Sequence, residues 1–520
     1  MRKTTSRLTL LFFILLLVLS IAPFSVLAQA EVDESMTGTI VISMLGDNPP
    51  QEAVDALIAS YNEIRPNVEV IWENPGLGAA EYPAWLGTQL AVDDPRPDIV
   101  SGNYFGNYQG YLNFDTVRFL TNPHTDRMWA EDIDWDFYRG QNTFGERIMV
   151  PTRAVHINWF YNTDVFEELS LEPPTTWEEF GAVCDAIAEA KPEMACVTAN
   201  YQWQVPQWLK HVGFDQFHID WVETVRAQPG DWNYNPDLDG SFTYDPADPF
   251  IHTKYTYNRQ RYYQAVRDGV LRFDTPQVAE IVRQTSLVFP KHAVADFFVI
   301  GDPYPRFIAQ QAAIMFNGTW ALPSLQRDME DMTAERLEEL GLSPDDVQSF
   351  GWSTFEMPSI EHELVLTQAK TVESSTGEYV SIVDKSQAQT DLTLDFVMFW
   401  LSKAGYGPYN EARIANGGGA SGPLRIMDVQ DPPEIQVLFD NIQFLGNAEA
   451  TFPSEFLSWG GADIQVEARE IWKQGLEGTI TPEETAAQLQ NLVETKFDQI
   501  LEQINLTNED LDNPSRQPGS

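Results

Sequence analysis

The chain is poor in cysteine, in basic residues and in long apolar runs, and each shortage narrows what it can be. Its two cysteines, Cys184 and Cys196, are too few for a disulfide-rich scaffold and lack the spacing of a metal site. With 32 Lys and Arg against 77 Asp and Glu, the formal charge is −45. Such a surface repels nucleic acid and anionic membranes and disfavours a polyanionic substrate, although a local pocket can differ from the average. No P-loop and no Gly-x-Ser-x-Gly elbow occurs, and Glu361-His362-Glu363 lacks the second His of a zinc-protease motif. Gly417, Gly419 and Gly422 spell G-x-G-x-x-G, but a helix-like segment precedes them and Pro423 follows, which excludes a dinucleotide site. Asp231, Asn233, Asn235, Asp237 and Asp239 alternate like calcium ligands without the turn glycine and closing Glu of an EF-hand. No metal and no cofactor are expected.

One apolar run stands out, Leu8 to Ala22, behind Arg2, Lys3 and Arg7. It falls short of the ~20 residues of a spanning helix. Small residues follow at Val26-Leu27-Ala28 and Ala28-Gln29-Ala30. Residues 1–30 therefore read as a cleaved export signal, whose removal takes the charge to −48. No lipid-anchor Cys marks the cleavage site, so a soluble periplasmic or extracellular protein is expected. In that compartment, cysteines twelve residues apart are expected to be bridged.

The remainder exceeds the usual ~100–200 residues of one domain, so two or more lobes are expected. Thr39–Leu45 reads as a buried strand, Ala53, Leu57, Ile58 and Tyr61 recur at helical spacing, and Val68–Trp72 is a second strand. This βαβ unit predicts a largely parallel sheet, continued by Pro97–Val100. Ligands of such sheets bind beyond the carboxyl ends of the strands, which draws attention to Asp47-Asn48 and Gly102–Phe105. His156–Asn162 and Gln311–Trp320 are strand-like, and a Thr-capped helix starts near Trp177. Gln348–Met357 and Glu378–Val383 look extended, while Asp391–Ser402, Ile464–Gly475 and Pro482–Ile504 are helical. Residues 201–263 are crowded with aromatics, Pro, Asp and Asn and read as a loop-rich insertion; 507–520 reads as a disordered tail.

Several short segments stand in a telling order. They are the βαβ unit, Pro97-Asp98-Ile99-Val100, Val150-Pro151 with Tyr161-Asn162, Pro173–Phe180, Ala312-Ala313-Ile314-Met315 with Asn317-Gly318-Thr319-Trp320, and Gly478–Ala486. In this order the chain resembles the family 1 extracellular solute-binding proteins of carbohydrate ABC importers, the family that includes maltose-binding protein. The resemblance implies an α/β, two-lobed periplasmic-binding-protein fold of type II, with a central cleft that closes by hinge motion. It implies an N-terminal lobe of residues 36–152 and 359–425 and a C-terminal lobe of residues 153–358 and 426–506. Pro151, the stretch Gln348–Pro358 and the chain after Asp391–Ser402 would mark the crossings.

Carried over position by position, the resemblance places Asp47, Asn48, Asn103, Tyr104, Tyr201, Trp203, Trp320 and, more loosely, Trp459 at the ligand. Sugars offer apolar faces ringed by hydroxyls, which suits aromatic platforms combined with Asp and Asn acceptors. Val155 departs from maltose-binding protein, which has an acidic ligand contact there. Trp352 and Trp400 sit in apolar runs and read as core. The expected function is capture of a sugar or oligosaccharide by a monomer that docks on ABC permease subunits, with no catalysis. A secreted glycoside hydrolase and a binder of polyols or polyamines are the alternatives.

The charge carries a prediction of its own. Self-repulsion at −45 is screened by salt, so the melting temperature is expected to climb with added NaCl. A flat response overturns the reading of the acidity as an adaptation to salinity.

Overall fold

The computed structural model describes residues 32–45, 49–77, 81–102, 108–135, 146–202, 204–248, 251–345, 347–368, 372–374, 379–440 and 462–518. The expected export signal lies outside the described residues. Among these residues no helix is long and apolar enough to cross a membrane. Ten strands carry the architecture: β1 (Gly38–Ser43), β2 (Val68–Trp72), β3 (Ile99–Val100), β4 (Val150–Pro151), β5 (Ala154–Asn162), β6 (Ala195–Thr198), β7 (Ala312–Gly318), β8 (Trp352–Phe355), β9 (Val372–Ser374) and β10 (Tyr379–Ile382). They form two sheets, in the orders β2-β1-β3-β10-β4 and β8-β5-β7-β6, with β9 on the side of β5.

The first sheet grows from the βαβ unit. β1 pairs in parallel with β2, Ile40 opposite Val70, and with β3, Ile42 opposite Ile99. Helix Gln51–Asn62 turns Ala53, Val54, Leu57 and Tyr61 inward. It packs beside helices Gln387–Trp400 and Lys403–Ala415 over a core holding Ile40, Ile42, Ile99, Phe396 and Trp400. A charged cluster ties these helices together. Arg65 donates to both carboxylate oxygens of Asp395, at 3.0 and 3.1 Å. The Tyr61 hydroxyl donates to the same carboxylate at 2.8 Å, and His124 Nε2 lies 3.2 Å from it.

The second sheet carries the larger core. Trp159 of β5 is enclosed by Phe180, Phe316 and Phe355. Helix Trp177–Ala190 starts where the Thr176 side chain accepts from the Glu179 amide. Cys184 on that helix is disulfide-bonded to Cys196 of β6. Closing so short a loop restricts the unfolded chain, by about 3 kcal/mol in the chain-entropy account.

The structure departs from the sequence reading at three places. Residues 201–263 include helices Lys210–His218 and Arg259–Arg267, and Tyr255, Tyr262 and Tyr263 lie fully buried within them or beside them. Every residue of Lys210–His218 is buried, and a helix buried all round shows no amphipathic period to read. The calcium-like run is consumed in holding this region: Asp231 pairs with Arg261, Asn235 caps Pro236–Asp239, and Asp239 accepts from the Thr256 amide. Residues 508–512, expected to be disordered, form a short helix with a Thr507–Asp510 capping box and a buried Leu511. Finally, β8 pairs with β5 inside the second sheet, and Ile360, Leu364 and Val365 stay with the second core. The chain returns to the first sheet only between β9 and β10, not at Gln348–Pro358. Pairing with β5 satisfies the backbone of this stretch where a free crossing would leave it open.

The Asp395 cluster supplies a test. Burial alone would raise the Asp395 pKa, but hydrogen bonding and attraction from His124, with Arg65 and Tyr61, hold it below the usual value. A depressed pKa contributes stability above the unfolded value and loses it as pH falls through the folded one. Asp395→Asn is therefore expected to destabilise by about 3–5 kcal/mol at neutral pH. In denaturant titrations its gap from the wild type should shrink as pH falls below about 4.

Candidate functional site

The two sheets meet edge to edge because of one short connection. β10 runs antiparallel to both β3 and β4, so β4 runs parallel to β3 and ends at the carboxyl edge of the first sheet. Only Thr152 and Arg153 separate it from β5. β5 in turn runs antiparallel to β7, with Ile157 opposite Gly318. Its start therefore lies beside the carboxyl end of β7, at the same end of the sheet as that of β6, which pairs with β7 in parallel on its far side. The carboxyl edges of both sheets thus converge on Thr152–Arg153, where open α/β sheets bind ligands.

Arg153 pins this seam. Its guanidinium is fully buried and forks onto both oxygens of Asp431, at 2.6 and 3.0 Å. It also donates to Asn410 Oδ1 at 2.8 Å and to the Gly422 carbonyl at 2.7 Å. The chain returning from the first lobe runs alongside: the Arg425 amide donates to Thr152 O and the Ala154 amide to Pro423 O. A Cβ at Gly422 would stand 1.7 Å from the Ala154 carbonyl oxygen, so the approach admits glycine alone. That contact accounts for Gly422 without any nucleotide.

Trp320 stands at the end of β7, on the turn that meets this seam. The Thr319 amide donates to His156 O, and the Thr319 hydroxyl donates to Ser421 O at 2.6 Å. The Trp320 ring folds back over Gly318, where a Cβ would fall 2.2 Å from the ring. Its centroid is 5.5 Å from that of Trp208. The side chain is only partly buried, so the indole is held in place yet keeps open surface. Beneath it, Gln204 joins Asn200 to Asn317: its Oε1 accepts from the Asn200 amide and its Nε2 donates to Asn317 Oδ1. Across the ladder from Asn317, Asn158 is buried with its amide nitrogen unbonded among the described residues.

Tyr201 is placed otherwise. Its ring is wedged against Phe297 and Phe298, and its hydroxyl donates to the Arg469 carbonyl at 2.6 Å. Burial pushes its phenol pKa up, and at 3 % exposure it offers no open face. Asp47, Asn48, Asn103, Tyr104, Trp203 and Trp459 lie outside the described residues. Trp400 is core, and Trp352 is partly buried against the cluster around Phe307 and Phe350. Arg153, Asn410 and Asp431 were missed by sequence reasoning. An arginine directly after an apolar Val150-Pro151 crossing was the available signal, but its acceptors lie more than 250 residues away.

The match to known proteins agrees with this geometry. A search of curated proteins found no match. Among solved structures, the fold is similar to a chitin oligosaccharide binding protein, with a TM-score of 0.55 at 13% identity over 88% of this chain and 98% of that one. It is similar to a family 1 extracellular solute-binding protein from Bifidobacterium longum subsp. infantis, with a TM-score of 0.54 at 14% identity over 88% and 99%. It is also similar to a cyclic alpha-maltosyl-1,6-maltose binding protein from Arthrobacter globiformis, with a TM-score of 0.53 at 13% identity over 88% and 98%. The fold is that of the type II periplasmic binding proteins. The profile of the family described as bacterial extracellular solute-binding protein matches residues 47–326, which is more than half of the sequence, and the chain belongs to that family.

Proposed function

We propose that this solute-binding protein captures a sugar or oligosaccharide between its lobes and delivers it to the permease of an ABC importer. The observation that carries the reading is Trp320, an indole fixed by Gly318 and Trp208 at the seam while keeping part of its surface open. A flat apolar platform beside hydrogen-bonding amides suits the alternating faces and hydroxyls of a sugar ring. The structural neighbours support it, since two of them are named for binding a chitin oligosaccharide and a cyclic maltosyl-maltose. The passages of chain between the sheets at Thr152–Arg153 and around 420–431 form the hinge about which the lobes close. Asp47, Asn48, Asn103, Tyr104, Trp203 and Trp459 join Trp320 in this reading as ligand contacts; Tyr201 acts from behind, as support.

A thermal-shift screen against mono- and oligosaccharides, polyols and polyamines tests it. A ligand present at a hundred times its Kd should add about 2.7 kcal/mol of stability by mass action. A shift with one sugar class, lost in Trp320→Ala, is the expected result. A shift with polyamines or polyols alone overturns the sugar assignment, and a sugar shift that survives in Trp320→Ala removes that residue from the site.

A further inference from the structure

The glycine run after helix Lys403–Ala415 binds no nucleotide, and the structure gives its first members another task. Gly417 takes φ +82°. Its amide donates to Ile414 O while the Gly418 amide donates to Arg413 O. This pair of bonds is the left-handed glycine cap that ends a helix. A Cβ on Gly418 would stand 3.0 Å from Pro50 Cδ. Pro50 is the N-cap of Gln51–Asn62, the helix that follows β1. A helix that follows a strand of a parallel sheet starts at the carboxyl edge of that sheet. The glycine cap therefore sits at the cleft edge of the first lobe.

A side chain of the second lobe reaches this cap. Trp320 stands at the N-cap of helix Ala321–Glu330, whose Ala321, Leu322 and Leu325 share a core with Phe160 of β5 and Met315 of β7. Arg327 of that helix donates from Nη1 to the Gly417 carbonyl at 3.0 Å. Ile414, from the last turn of the first-lobe helix, leans partly buried on the same second-lobe core. The contact thus joins the helix that carries the indole to the cleft edge of the opposite lobe. Lying on the cleft side of the Arg153 seam, it is made as the lobes come together and lost as they rotate apart. Arg327 also meets Asp328, at 3.2 Å. That buried carboxylate keeps the Tyr304 hydroxyl at 2.8 Å and Arg336 Nε at 3.0 Å without it. With 45 % of its side chain exposed, Arg327 adds little to packing, so its replacement leaves the fold intact.

We propose that Arg327 is a positioning residue for solute capture, a latch that holds the Trp320 helix against the first lobe in the closed arrangement. The inference rests on the hinge closure proposed above and names a contact that sets its balance. The test uses the full mature chain without solute, spin-labelled through Val92→Cys on the first lobe and Val270→Cys on the second, both exposed. Cys184 and Cys196 are bridged and take no label. Double electron–electron resonance then reads the distribution of lobe separations. The chain with Arg327 in place is expected to show the separation of this structure as a distinct population. Arg327→Met, checked for an unaltered circular dichroism spectrum, should lower that population about fivefold relative to the longer separations. Arg327→Lys, which keeps a charged donor, should restore part of it. An unchanged distribution in Arg327→Met overturns the latch and leaves closure standing, and so does a gain of the short separation. A loss that Arg327→Lys does not restore assigns the effect to packing and also overturns it. One invariant separation in all three proteins removes the closure reading and this inference with it.

Discussion

A guanidinium with no exposed surface sits where the two sheets meet, and the geometry of the cleft depends on it. Burying a charge costs several kcal/mol unless its partners are nearly complete. Arg153 meets that requirement through a fork onto Asp431 and bonds to Asn410 and the Gly422 carbonyl. These acceptors come from the chain returning out of the first lobe, so the outward passage at Thr152–Arg153 and the return at 420–431 are fastened to each other. A connection of two residues leaves the sheets little freedom except rotation about that seam. The carboxyl edges of both are thereby held facing one another.

Around this pin the aromatic residues divide by role. Many aromatic residues go into the second core, where Trp159, Tyr255, Tyr262 and Tyr263 are fully enclosed. Tyr201 joins them, with its hydroxyl satisfied by a backbone carbonyl. Trp320 differs because Gly318 has no Cβ: the ring lies back across the strand end and stays partly open. A single missing methyl group thus separates a core tryptophan from an available one.

The scarcity of basic residues makes their placement informative. Arg65 meets Asp395, Lys385 meets Asp98 and Arg153 meets Asp431, each cation joining segments far apart in sequence. In a chain so rich in carboxylates, such pairs form readily, and their function is to fasten helix to helix and lobe to lobe.

Periodicity and order of segments were enough to read the first βαβ unit, β5, β7, the helix at Trp177 and the closing helices, because each carries a local hydrophobic pattern that its final environment merely completes. The two-lobed α/β class was implied by the family resemblance that the order of these segments carries, not by local patterning, which predicted one largely parallel sheet. Lys210–His218 stayed illegible because burial on every side erases the polar face that marks a helix, and the short helix at 508–512 because its stability comes from docking on Arg259–Arg267. Trp320 could be singled out from Gly318 two residues before it, a strictly local cue. Arg153, Asn410 and Asp431 could not, since which acceptors meet a guanidinium across more than 250 residues is decided by how the sheets pack. The sequence by itself determined the elements and the family; the tertiary structure alone decided which charges meet, because electrostatic partners are chosen by proximity in space and leave no period along the chain.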